Sequence, residues 1–382
     1  MAVMANLAVD PYGVYGAPEV PGLNARKPAA QQHAWVAKAA RAERVLPRTL
    51  LLGNSRVDIG FDPESSAWAD APRPVFNMGV PGSGIDSQPG ALTELEGHIP
   101  LAVLYIGLEF LDFLPRRGTQ TGEISNAWPA PPMRLTPRLI TQTAASLGAL
   151  GDSLYTVLVQ DDPRTADMTP LGYNPFREYL GHVAREGHAA LAAQKNASNI
   201  ESMARLSPDR WSARSLAALR TQLEHAARHG IRVVLFTFPY HAEMLETMAL
   251  AELWTAFTLW KGLLVETVSR ARKTWPSLDV ALWDFAGYSP YTTEPFPPRG
   301  DTRTNMRWYW EPGHFKAELG TVMLRRMRGE EIEYGEVLGQ ELSSASLASR
   351  LAGIEAGRLA WRSANPEAVR RLESLVARTR RD

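Results

Sequence analysis

Five short runs of almost unbroken apolar residues punctuate the chain: Arg48 to Leu52, Val75 to Met78, Leu101 to Ile106, Ile231 to Phe238 and Leu278 to Trp283. Each is closed by Gly, Pro or Asp. A strand with one wet face alternates apolar and polar residues, so unbroken runs predict strands covered on both faces, as in a parallel sheet. Ser212 to His229 instead carries apolar residues at helical spacing, with Gly230 placed to end the helix. Buried strands alternating with helices predict an α/β fold, a doubly wound and mostly parallel sheet of five strands.

The same patterning divides the chain. Residues 1–46 read as a lead-in segment, and residues 47–334 as the α/β domain. Within that domain, about 114–209 is too long for one crossover and begins rich in Pro, Gly and Thr. It is expected to be a mostly helical insertion, placed to act as a lid. Residues 335–382 form a helical C-terminal tail, broken at Asn365-Pro366, where proline suits the first turn of a second helix.

Composition narrows the choice of chemistry. The 382 residues suffice for a large core, and 41 Lys plus Arg balance 41 Asp plus Glu. No overall field therefore favours nucleic acid as a partner. Cys is absent, which removes disulfides, thiolate metal sites and thiol nucleophiles together. Met1 to Val9 is apolar but too short for a signal sequence or a membrane span, so the chain as written shows no export signal. An anchor upstream of Asp10-Pro11-Tyr12-Gly13 stays open.

The turns after the five strands collect unusual residues: Gly53-Asn54-Ser55-Arg56, Gly79-Val80-Pro81-Gly82-Ser83-Gly84, Gly107-Leu108-Glu109, Pro239-Tyr240-His241 and Asp284. In a parallel sheet all of these meet at one edge, where open α/β sheets place their ligands. The long loop beyond the fifth strand adds Glu311-Pro312-Gly313-His314. A serine nucleophile needs a base to take its proton, and that base needs an acceptor on its other nitrogen. Ser55, His314 and Glu311 supply these roles, with Asp284 and Asp301 as other candidates for orienting the histidine. Backbone N–H groups near Ser55 and around Gly82 are candidates for holding an oxyanion.

These motifs resemble the SGNH (GDSL-type) hydrolase superfamily, and more narrowly periplasmic SGNH-like proteins related to alginate O-acetyltransferases. Gly53-Asn54-Ser55 is similar to the family's Gly-Asp-Ser turn, Gly82 to its oxyanion glycine, and Glu311-x-x-His314 to its late Asp-x-x-His. The resemblance implies a flavodoxin-like three-layer α/β/α fold, ester hydrolysis or O-acyl transfer through acyl-Ser55, no cofactor, and acetyl esters of a carbohydrate as substrate. It also implies a periplasmic or extracytoplasmic location and membrane-associated polysaccharide machinery as a possible partner. Two positions depart from the family pattern: Asn54 stands for aspartate, and Glu109 for the asparagine that donates to the oxyanion. A carboxylate at that position repels a developing anion unless it is protonated or turned away. The competing expectation is therefore a non-catalytic carbohydrate-binding or assembly protein on the same fold.

The remaining signals have simpler explanations. Gly151-Asp152-Ser153-Leu154 spells a nucleophile motif but follows a helical stretch, and is expected to be a capping turn. His241 and Arg56 stand at the productive edge as candidate substrate contacts. His225 and His229 share a helical face in its last turn, where cations suit the dipole, so no metal site is expected there. Trp308 and Trp310 flank the proposed base, either as core or as a sugar-stacking platform.

Overall fold

A computed structural model of the chain describes residues 1–118 and 131–379. Its five expected strands are β1 (Thr49–Gly53), β2 (Val75–Gly79), β3 (Val103–Leu108), β4 (Arg232–Thr237) and β5 (Val280–Asp284), paired in parallel. Every residue of β1 and β2 is buried, as unbroken apolar runs require. The expected count of five is corrected to six. β8 (Gln340–Glu341) joins antiparallel to β5, giving the order β2-β1-β3-β4-β5-β8. Two residues with no apolar run leave no strand signature in the sequence.

The strand order reverses direction at β1, which lies between β2 and β3. The crevice outside the carboxyl ends of β1 and β3 is therefore a natural ligand position. The turn after β1 runs directly into a short helix, α3 (Ser55–Gly60). Two earlier helices, α1 (Ala2–Val9) and α2 (Ala34–Val45), precede the sheet, and α4 (Gln88–Leu95) links β2 to β3. The first 46 residues are thus folded into the body of the protein: α2 packs on β2, and its Lys38 is fully buried.

Between β3 and β4 lie α5 (Pro137–Ala144), α6 (Leu147–Leu158), α7 (Tyr179–Glu186), α8 (His188–Met203) and α9 (Ala213–His229). The ends of the insertion are zipped together, with Arg117 N–H donating to Arg205 O at 2.7 Å and Ser207 N–H to Pro115 O at 2.9 Å. Part of it, residues 119–130, lies outside the described residues. Ser212 caps α9 by accepting from Ser215 N–H, and Gly230 ends it at φ 65°, as the pattern predicts. Gly151-Asp152-Ser153 is the interior of α6, whose cap is Ser146. The expected capping turn is corrected to helix interior, because a glycine in the middle of an otherwise good helical stretch does not end it.

After β4 come α10 (Ala242–Leu250) and α11 (Trp254–Thr274); after β5 come the antiparallel pair β6 (Tyr309–Glu311) and β7 (His314–Phe315), then α12 (Ala317–Met327). The C-terminal segment is α13 (Leu347–Ala364) and α14 (Pro366–Thr379), broken where expected. It is more than a tail. Arg350 of α13 donates to Asp284 Oδ2 at 2.8 Å, completing a buried cluster with Lys261 at 2.5 Å and Thr237 at 2.7 Å. No single helix among the described residues is long and apolar enough to cross a membrane.

Candidate active site

Ser55 is the first residue of α3, and Asn54 is its N-cap, accepting at Oδ1 from Arg56 N–H at 3.0 Å. Close packing forces this tight strand-to-helix turn. A Cβ on Gly53 would lie 2.3 Å from Val57 Cγ2, so only glycine lets α3 fold back on β1. Asn77 fixes the other side, donating to Val57 O at 2.7 Å and Phe61 O at 2.8 Å, while its Oδ1 accepts from Gly79 N–H at 2.9 Å. Beneath it, Lys38 Nζ meets Asp58 Oδ1 at 2.6 Å with both side chains fully buried. Asn174 Nδ2 donates to the other Asp58 oxygen at 3.1 Å. The turn that carries Ser55 is therefore held on several sides by buried polar contacts.

His314 arrives on the β6–β7 hairpin. Glu311 and His314 are cross-strand partners around Pro312-Gly313, so their side chains lie on one face. His314 Nδ1 bonds Glu311 Oε1, and Gly313 N–H donates to Glu311 Oε2 at 2.6 Å. His314 Nε2 lies 2.7 Å from Ser55 Oγ. Burial alone would raise the Glu311 carboxyl, but His314, Lys195 at 3.9 Å and the Gly313 N–H outweigh it and hold it at about 2. The ionised carboxylate can only accept, so Nδ1 carries the proton and Nε2 presents a lone pair to Ser55. Burial lowers His314 from its ordinary value, against the attraction of Glu311, so the ring is neutral at neutral pH.

Three of the sequence candidates thus converge, and the others divide. Arg56 is buried, forms an ion pair with Glu109 and lies over the Tyr240 ring at 5.2 Å. Tyr240 O–H donates to Glu109 Oε1 at 2.8 Å. Glu109 is therefore not turned to open solvent; a guanidinium and a phenol engage its oxygens. Arg56 Nε is buried with no hydrogen-bond partner among the described residues. Gly82, at φ 73°, lies in an exposed loop that Ser83 ties to the nucleophile turn, its Oγ donating to Gly53 O at 3.2 Å. His241 is not brought to the serine. It caps α10, accepting at Nδ1 from Glu243 N–H at 3.1 Å and donating at Nε2 to Glu294 O at 2.8 Å.

Asp284 and Asp301 do not orient His314. The first is committed to Lys261 and Arg350, and the second accepts from its own loop at Thr304. Trp308 and Trp310 are buried, so they form no open stacking platform. Trp310 packs edge-on to Phe176 and Tyr179, and His188 Nδ1 bonds its carbonyl at 3.0 Å. The insertion thereby braces the hairpin that carries His314. Sequence reasoning missed Lys38, Asp58, Asn77, Asn174 and Lys195. Their partners are distant in the chain, and a polar residue on a helix or in a strand carries no mark of the group it meets.

With Ser55 partly exposed, a neutral imidazole against its hydroxyl and a carboxylate behind the imidazole, the arrangement is suited to nucleophilic attack on a carbonyl. Comparison of the chain with protein-family models, with curated proteins and with solved structures finds no match.

Proposed function

We propose that the protein is a serine-dependent ester hydrolase or O-acyltransferase of the SGNH type, built on a three-layer α/β/α domain and working through an acyl-Ser55 intermediate. The observation that carries this reading is the continuous Ser55–His314–Glu311 relay. Ser55 Oγ attacks the ester carbonyl carbon as its proton passes to His314 Nε2. The bond to the alcohol oxygen then breaks, and His314 returns that proton to the leaving alkoxide. Water or a sugar hydroxyl next gives its proton to His314 and attacks the acyl group; the proton finally returns to Ser55 Oγ.

The ion pair with Arg56 removes the electrostatic objection to Glu109, since the local charge is balanced. Backbone N–H groups at Ser55 and Gly82 are the proposed oxyanion donors, with the unpartnered Arg56 Nε as a further candidate. A carbohydrate acetyl ester as substrate, an extracytoplasmic setting and a polysaccharide-modifying partner rest on the resemblance of the motifs.

A protonated imidazole cannot accept the serine proton, so kcat/KM is expected to rise with pH through the His314 pKa. Because burial lowers that pKa, the midpoint is expected below the ordinary value of about 6.5, with a plateau by neutrality. Initial rates on p-nitrophenyl acetate across the acid range measure it. The identity of the nucleophile is tested by a fluorophosphonate probe. Wild type is expected to label once, at Ser55, and Ser55→Ala to remain unlabelled and inactive; equal labelling of the two proteins rules the reading out.

A further inference from the structure

We propose that Glu96, His225 and His229 form a site for a transition-metal dication, best suited to Zn²⁺, with two imidazole ligands, one carboxylate and a position left for water. One ligand atom from each of the three lies within 4.8 Å of the other two. Glu96 Oε1 is 2.9 Å from His229 Nε2, and Glu96 Oε2 is 3.9 Å from His225 Nδ1. Tetrahedral zinc with bonds of about 2.0–2.1 Å separates its ligand atoms by roughly 3.3 Å. Closing the set around a metal therefore takes shifts of less than about 1 Å in side chains that are partly exposed and free to adjust.

The surroundings suit a cation bound by neutral rings better than they suit two charged histidines. The histidines are one helical turn apart on α9, with ring centroids 4.5 Å apart. At that separation a single dication can be shared by both rings. Both α9 and α4 end at this point, and the carbonyl ends of two helices favour positive charge. The three side chains also line a cavity of about 200 Å³ whose other walls include Leu92, Leu95 and Ile231. A few polar groups converging on an apolar hollow is the usual form of a binding site.

Pro100 and Leu101 lead into β3 and Ile231 into β4, so the site is at the end of the sheet opposite Ser55. A bound metal would tie α4 to α9 and take no part in acyl transfer. The test uses the full chain stripped with chelator and titrated with ZnCl₂ in a calorimeter, with CoCl₂ absorption as a report of tetrahedral geometry. Wild type and Ser55→Ala are expected to bind one equivalent and to melt at a higher temperature with Zn²⁺. His225→Ala, His229→Ala and Glu96→Gln are each expected to weaken binding by at least roughly 10-fold, the lower end of what losing even an outer-shell partner costs. No Zn²⁺ uptake by wild type, or uptake unchanged in the folded Glu96→Gln and His225→Ala/His229→Ala proteins, overturns the proposal. Either result leaves the Ser55 reading untouched.

Discussion

Replacing His314 with alanine is expected to lower kcat for ester hydrolysis by roughly 10⁵-fold or more, about as far as Ser55→Ala does. The two losses are expected not to add, because serine and histidine act as one unit: without the base the hydroxyl keeps its proton, and without the hydroxyl the base has nothing to activate. Glu311→Gln is expected to be milder, roughly 10³- to 10⁴-fold, since the imidazole keeps its place while losing its enforced tautomer. It also carries a signature that misfolding cannot mimic. Glu311 is the attraction that opposes burial at His314, so removing its charge should move the acid limb of the pH profile further down. Stopped-assay kinetics on p-nitrophenyl acetate, with a thermal melt for each variant, check all three. A folded His314→Ala protein within about ten-fold of wild-type kcat would exclude the relay as the working machinery.

The second large effect is on stability. Lys38→Met is expected to destabilise the protein by about 3–5 kcal/mol, because it strands the Asp58 carboxylate in an environment where both partners are fully buried. Met preserves much of the apolar volume, so a cavity contributes little. The double variant Lys38→Met/Asp58→Asn is expected to recover part of the loss, since no uncompensated charge remains while the introduced amide can still bond Asn174 and Gln31. Urea unfolding at constant m-value provides the measurement. A loss under about 1 kcal/mol in the single variant would mean that the pair contributes no more than an exposed ion pair. Since Asp58 sits in the same short helix as Ser55, the destabilised variant should also lose activity well below its unfolding midpoint.

Much of this architecture was legible because hydrophobic burial writes itself locally. Leu50 to Leu52 or Val233 to Leu235 are buried on both faces of the sheet, and no neighbour elsewhere in the chain need be known to see it. Ser55, Glu311 and His314 were legible for a related reason: each borders a short turn where the sequence itself breaks pattern. What escaped was pairing at a distance. Nothing around Glu109 announces that Arg56 will pair with it. Lys38 sits among alanines on a helix and reads as an exposed lysine. His241 was placed at the correct edge by its strand, but its ring is spent on the first turn of α10. β8 failed for a different reason: two residues hold too little apolar content to register, and the strand exists because β5 offers it an edge.

The separation between nucleophile and base also has a consequence for the order of synthesis. Ser55 and His314 are 259 positions apart, and the hairpin that delivers His314 packs on α3 and is braced by α8 of the insertion. On a ribosome the serine emerges long before its activator, and contacts this distant close only after the intervening chain has been ordered. On the proposed reading, the nascent protein would carry Ser55 without its partner, and reactivity would arrive only with the part of the chain that delivers His314. A phosphonate probe offered to stalled chains should distinguish lengths that end before residue 314 from those that extend past the folded hairpin.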